Sequence, residues 1–400
     1  MNKYFLVFLA ILISFSIWFL RFLQVQQTIP QDKQVQIVKV LEEEPKISGA
    51  SQYFRLGAVQ IKARSFPRFH YGDRLKIVGK VEKGGFVNYP QIEVLEKEKG
   101  NAIYAKIYAL RAYLTSKINQ SFGEPYASLL AGVLLGVDQL PYDFKKALTD
   151  TGTIHVVVVS GQNITIIAGF VMAMAGFIKR RLAIYLTAAV ILFYTVLAGA
   201  EAPVIRAAIM GIFTYSAQAF GRGYWPAFAL MLTAVLMLFY NPLYLFSLSF
   251  QLSFAATLGI VTLVPQISKF LTKLPRFLAE SLAVSTSAFV LTLPIIAYSF
   301  GRVSTISIFA NLGIYYLILP LMALGFIVLF LTVGIPFLGK IFGFFLFVPA
   351  FVFVYLVSLF AKVPQSVILL PKFSSLWVFA YYLLIFGLYI WILKVKVEKS

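Results

Sequence analysis

Cysteine is absent from this 400-residue chain, histidine occurs twice, and charged residues make up only 13%. The first absence excludes disulfides and thiolate metal sites, and it leaves the redox compartment open. His70 and His155 are too few for a His-rich metal cluster. No GxxxxGK[ST] phosphate loop is present, so energy for any transport has to come from a partner ATPase or from the proton gradient. No motif calls for a cofactor. Acid is scarce as well: of sixteen Asp and Glu only seven lie beyond Gly100, against twenty Lys and Arg.

What is abundant is apolar surface. Hydrophobic residues reach 60% and the mean hydropathy is +0.83, far above the roughly 45–50% apolar content of soluble domains. The fold class implied is a polytopic α-helical membrane protein. The formal net charge of +19 partly reflects orientation, because Lys and Arg collect in cytoplasmic loops. The remainder suits an anionic substrate or lipid headgroups.

The composition divides the chain into four parts. Residues 1–30 contain YFLVFLAILISFSIWFLRFL, the ~20 apolar residues of a membrane anchor. Its apolar core is longer than that of a cleaved signal peptide, and QVQQTIP supplies no small-x-small cleavage site. Residues 31–99 alternate apolar and polar positions through VQIVKVLE, QYFRLGAVQIKAR, RLKIVGKVE and VNYPQIEVLE, which predicts about five short strands. Such strands, with a Tyr71-Gly72-Asp73 turn before Leu75, fit a small OB-fold-like barrel. Residues 100–150 predict amphipathic or re-entrant helices. Residues 151–400 predict spans at 154–178, 182–199, 203–220, 225–241, 247–264, 278–299, 305–332, 341–361 and 374–393, which with the anchor makes ten.

Loop charges orient these spans. Lys3, Lys179 to Arg181, Arg222, Lys269, Lys273, Arg276, Lys340 and the Lys394 to Lys399 tail fall on one side, which is predicted to be cytoplasmic together with both termini. The β module is then extracytoplasmic. It carries Arg55, Lys62, Arg64, Arg68, Arg74, Lys76 and Lys80, interleaved with Tyr53, Phe54, Phe66, Phe69, Tyr71 and Phe86. Cations beside stacking rings are what sequence-independent single-strand binding requires. The plainer reading is a charged exterior around an aromatic core.

Polar residues inside apolar runs mark the candidate path. In TGTIHVVVVSGQNITII, His155, Ser160, Gly161, Gln162 and Asn163 interrupt a run long enough to cross a bilayer, and polar groups at that depth persist where they face protein or water. On a continuous helix His155 and Ser160 stand about 140° apart, which disfavours a nucleophile and base pair unless Gly161 breaks the helix. Glu201 and Arg206 flank the start of a span in which Pro203 suits the first turn. Gln251 and Ser253 lie in a stretch rich in small residues that favours close helix packing. Asn311 is an isolated amide in IFANLGIYYLILP.

Four blocks in order, YASLLAGVLLGVDQLPYDFKKALTDTGTIHVVVVSGQNITII, GAEAPVIRAAIMG, FSLSFQLSFAATLGI and FGRVSTISIFANLGIYYLILP, resemble the membrane core of ComEC-type competence proteins, which are DNA-internalisation channels. By that resemblance His155, Ser160 and Gly161 occupy a His-x4-Ser-Gly core, Arg206 is the family's membrane arginine, Gln251 to Ser253 are its Gln-Leu-Ser motif, and Asn311 its amide. Asn163 stands where many members have a second histidine, which removes support for a mechanism needing two imidazoles. Larger relatives add a metallo-β-lactamase-like domain, whereas here Ser400 follows the last predicted span and no HxHxDH-like cluster occurs. The expectation is that this polypeptide does not degrade the non-transported strand. The partners so implied are single-stranded DNA, the lipid bilayer, a DNA receptor, a separate nuclease and a cytoplasmic ATPase. The rival readings are a transporter or flippase for another anionic polymer or lipid-linked substrate, and an intramembrane serine hydrolase.

Overall fold

The computed structural model describes residues 16, 18–25, 34–57, 59–82, 85–173 and 176–397. The predicted anchor lies mostly outside the described residues; its end, residues 18–25, is helical (α1). The chain forms two compact units. One comprises residues 1–145, 155–247 and 317–354, the other residues 146–154, 248–316 and 355–400.

The first unit opens with strands β1 (Gln34–Val40), β2 (Lys46–Ser48), β3 (Ser51–Leu56), β4 (Val59–Arg64), β5 (Arg74–Lys80), β6 (Phe86–Asn88) and β7 (Gln91–Glu96). Seven strands replace the five expected because two predicted runs are divided and β2 lies outside all of them. Gly57, with φ +64, turns the chain between β3 and β4, and Tyr89-Pro90 separates β6 from β7. Proline has no N–H to give a ladder, so a strand stops there. Hydrogen bonding groups the strands into a sheet of order β1-β5-β7 and a second of order β2-β3-β4-β6, with β4 and β6 parallel. Alternation sends Leu41, Phe54, Leu56, Val59, Ile61, Leu75, Ile77 and Val87 inward from both sheets into one core. The predicted Tyr71-Gly72-Asp73 turn is present, with Gly72 at φ +87.

Helices in the same unit are α2 (Ala102–Ser121), α3 (Tyr126–Leu135), α6 (Gly161–Ala173), α7 (Arg180–Leu197), α8 (Ala202–Ala219), α9 (Pro226–Tyr240) and α13 (Ile318–Gly334). Asn101 caps α2 by accepting from the Ile103 N–H at 2.8 Å, satisfying one of the donors a helix start leaves free. α3 is buried from Ala127 to Leu135.

The second unit holds α4 (Tyr142–Asp150) from Lys146 onward, α10 (Leu248–Ile267), α11 (Arg276–Phe300), α12 (Ser307–Tyr315), the β8–β9 pair (Arg302–Ser304 with Val367–Leu369) and α15 (Ser375–Val397). Gly259 lies so close to the Ser287 carbonyl that a methyl there would collide with it, the close approach that small residues permit between apolar helices. α14 (Pro336–Ala361) and the short α5 (Ile154–Val157) have residues in both units.

Among the described residues, each of the nine span segments predicted beyond residue 150 is largely helical. Among the described residues, five helical segments are long and apolar enough to cross a membrane: Ile154–Ala173, Arg180–Leu197, Leu248–Ile267, Arg276–Phe300 and Pro336–Ala361. A sixth is added if Ser307–Tyr315 and Ile318–Gly334, bent by 44°, count as one. The remaining predicted segments become the 18-residue α8, interrupted by Arg206, and the shorter apolar stretches of α9 and Ser375–Trp391.

Candidate functional site

The Ile154–Ala173 span is broken. α5 ends at Val157, residues 158–160 leave the helix, and α6 starts at Gly161. Four consecutive valines favour extended backbone over helix, and Ser160 then acts as the entry to α6. Its hydroxyl donates to Asn163 Oδ1 at 3.1 Å, while its carbonyl accepts from the Asn163 N–H at 3.2 Å. Asn163 is fully buried, and its Nδ2 donates to the carbonyl of Val133 on α3 at 2.8 Å. Both ends of the amide are therefore used, as a buried amide requires.

The polar residues named from the sequence have different surroundings. His155 is exposed on α5, Gln162 is half-buried, and the Ser160 hydroxyl points at Asn163. Gly161 backs onto α8: a Cβ there would sit 2.9 Å from the Arg206 guanidinium and 3.4 Å from Ala207 Cβ. Arg206 also reaches Met210 Sδ at 3.6 Å. The structure thus brings Ser160, Gly161, Asn163 and Arg206 into one cluster. Glu201 precedes α8, with Pro203 in the first turn as expected, and bonds Lys46 of β2 at 2.9 Å.

Arg111 on α2 escaped the sequence reading. Its Nε donates to the Leu135 carbonyl at 2.9 Å and a terminal nitrogen donates to the Gly136 carbonyl, so it caps the end of α3. Burial lowers its proton affinity, with Tyr108 and then Glu44 opposing. The available signal was a lone cation between Leu110 and Ala112 in an otherwise uncharged turn.

Gln251, Ser253 and Asn311 belong to the second unit. Gln251 and Ser253 are half-buried on α10. Asn311 Oδ1 is buried without a hydrogen-bond partner, as are the hydroxyls of Ser304 and Ser307. Gly152, at φ +69, presses on the last two: a Cβ there would be 2.7 Å from Ser307 Cβ and 3.4 Å from Ser304 Cβ.

The seven candidate cations of the β module do not form one patch. Register and alternation put Tyr53, Arg55, Lys62 and Arg64 on the outward face of the β2-β3-β4-β6 sheet. Lys62 Nζ lies 5.8 Å from the Tyr53 ring centroid and 5.2 Å from that of Tyr89. Tyr89 shares a 3.1 Å hydrogen bond with Ser51. Hydrogen bonding to Tyr89 and the charge of Tyr53 hold Lys62 above the usual lysine range, and bonds from Ser51 and then Lys62 lower Tyr89. Ala50, Arg64, Ser65, Phe66 and Tyr89 line an adjoining open cleft of about 510 Å³, with Phe66 83% exposed. Arg68 is exposed close by in sequence.

Arg74, Lys76 and Lys80 belong instead to β5. There Arg74 pairs with Glu96 at 2.7 Å and Lys76 with Glu93 at 3.4 Å. Of the interleaved aromatics, Phe54 and Phe69 pack edge to face in the core and Tyr71 stacks beside Tyr104 and Tyr108. Tyr53, Phe66 and Phe86 are exposed.

A β module followed by helices long and apolar enough to cross a membrane, one of them broken around a buried amide, is the architecture of a mostly helical, membrane-compatible protein. Residues 134–395 match the Competence protein family, and the chain belongs to that family. It is 26% identical over 216 residues to ComE operon protein 3 of Bacillus subtilis (strain 168), covering 52% of this chain and 26% of that protein. It is 30% identical over 256 residues to an uncharacterised protein of Aquifex aeolicus (strain VF5), covering 62% of this chain and 57% of the relative. The matched regions thus span about a quarter and somewhat over half of these two curated relatives. No solved structure matches.

Proposed function

We propose that the protein is a channel that passes single-stranded DNA inward across the cytoplasmic membrane during natural transformation. The observation that carries this reading is the break at residues 158–160, inside an apolar span of a Competence-family chain. Unwound backbone at membrane depth is stable where it lines a cavity or is covered by protein. Ser160, Gly161, Gln162, Asn163 and Arg206 then supply a polar, cationic seam to a sliding polyanion.

In this reading the β module is an OB-like barrel outside the membrane. It captures the strand on Tyr53, Lys62, Arg64, Phe66 and Tyr89, with rings for bases and cations for phosphates. Loop charge places both termini in the cytoplasm, and the anchor, α8, α9 and α15 complete ten spans. Glu201 joins the candidate residues by its place just before the span of Arg206, and Gln251, Ser253 and Asn311 join them by family resemblance. A DNA receptor, a separate nuclease and a cytoplasmic ATPase are the partners the reading calls for. Serine hydrolysis receives no support from the Ser160 hydroxyl, which is engaged by Asn163.

The test is uptake of labelled DNA in cells with and without the gene, scored separately for surface-bound and nuclease-protected label. Loss of protected label alone supports a channel. Unchanged uptake, with a lipid-linked intermediate accumulating instead, would favour a flippase.

A further inference from the structure

Arg111 belongs to no motif, yet three segments meet at its guanidinium. It donates to the carbonyls of Leu135 and Gly136, at the negative end of the α3 dipole where a cation is favoured. Gly136, at φ +69, packs against the Ala198 carbonyl, and a Cβ on Gly199 would sit 3.2 Å from the Arg111 guanidinium. The turn runs on through Gly199 (φ +89) and Ala200 (φ +49). It ends at Glu201, which bonds Lys46 of the β module at 2.9 Å.

α3 carries the contact in the other direction. Two residues before Leu135, the Val133 carbonyl accepts from Asn163 at 2.8 Å, and Asn163 in turn holds Ser160 at 3.1 Å. A continuous series of polar and packing contacts therefore joins β2 to the break. Lys46 is its accessible end, with 58% of its side chain exposed.

We propose that Arg111 is a positioning residue that couples anion binding on the β module to the geometry of the break at residues 158–160. A phosphodiester approaching Lys46 competes with Glu201 for its ammonium. Glu201, deprived of that partner, attracts the neighbouring guanidinium of Arg111 and weakens its hold on the α3 carbonyls. The end of α3 then shifts, and Asn163 shifts with Val133. The polyanion part of this inference rests on the proposed function, whereas the coupling itself is a property of the protein alone.

Thermal unfolding of the purified full-length protein tests the coupling without DNA. Lys46→Ala and Asn163→Ala share no partner, and the effects of such distant changes ordinarily add. Coupling through Arg111 makes their shifts in melting temperature non-additive, and Arg111→Lys, which cannot grip two carbonyls at once, restores additivity. Additive shifts in the native background would overturn the proposal, and that background alone decides if Arg111→Lys fails to accumulate. In cells, Arg111→Lys should keep surface-bound DNA and membrane abundance but reduce protected DNA about two- to thirtyfold, the range such coupling spans. Where deletion of the gene abolishes protected DNA, wild-type protected DNA in that variant also overturns it. Non-additive melting in a protein whose deletion leaves uptake unchanged would reject the DNA channel and leave the coupling standing.

Discussion

The hydroxyl of Tyr381 donates to the carbonyl of Val290 at 3.1 Å, the group that Pro294, four residues on, leaves without its helical partner. Tyr382 donates to the next carbonyl, that of Leu291, at 2.8 Å, so α15 supplies the donor that Pro294 removes from the middle of α11 and places a second beside it. Tyr381→Phe should lower stability by about 1 kcal/mol, and the loss should shrink in a Pro294→Ala background where the backbone bond returns. Thermal unfolding in detergent measures both. An equal loss in the two backgrounds would detach Tyr381 from the proline.

Lys62 and Arg64 should carry the salt dependence of DNA binding. In full-length protein, Lys62→Gln and Arg64→Gln should each flatten the slope of log affinity for oligothymidylate against log salt by about 0.7 per phosphate contact. Arg74→Gln and Lys76→Gln should change it little, because Glu96 and Glu93 already occupy those cations. A slope that responds only to Arg74 and Lys76 would move the interface to the other sheet.

Asn163→Ala leaves the Val133 carbonyl and the Ser160 hydroxyl without their partner. The expected loss is about 1–3 kcal/mol, the cost of an orphaned buried polar group. Ser160→Ala gives up a single bond and should lose less. If the segment lines a conduit, His155→Phe keeps membrane abundance and surface DNA but loses protected DNA. Wild-type protected DNA in both His155→Phe and Ser160→Ala would remove the segment from the path.

Because the chain contains no cysteine, one introduced thiol reports its own compartment. Lys97 is exposed just beyond β7, and Lys97→Cys should react with an impermeant maleimide on intact cells. Reaction only after permeabilisation would put the β module in the cytoplasm and end its role in capture.

The apolar runs were legible in the sequence because a bilayer-length helix needs only composition and length. Their interruptions were legible as polar letters but not as geometry. Ser160, Gly161 and Asn163 stood out in the string, whereas the carbonyl Asn163 holds lies thirty residues earlier, on a helix whose own sequence, YASLLAGVLL, carries no sign of its neighbours. Arg111 was missed for the same reason: the carbonyls it caps exist only once α3 has ended at Gly136. In the β module, alternation told inward from outward residues along each strand. It could not tell that Lys62 and Lys76 belong to different sheets, since that depends on which strands pair.

Lys62 between Tyr53 and Tyr89 has a kinetic consequence. A free lysine side chain carries about 2 kcal/mol of rotamer entropy, and an ammonium on a mobile stem surrenders part of it on each encounter with a ligand. Flanked by two rings on a rigid sheet, this ammonium has made that surrender during folding. In the proposed reading, a strand moving across the face meets a fixed charge, and successive phosphates can exchange at it without the side chain being ordered anew each time. For a polymer that has to be held and still move on, such a site favours fast exchange over long residence.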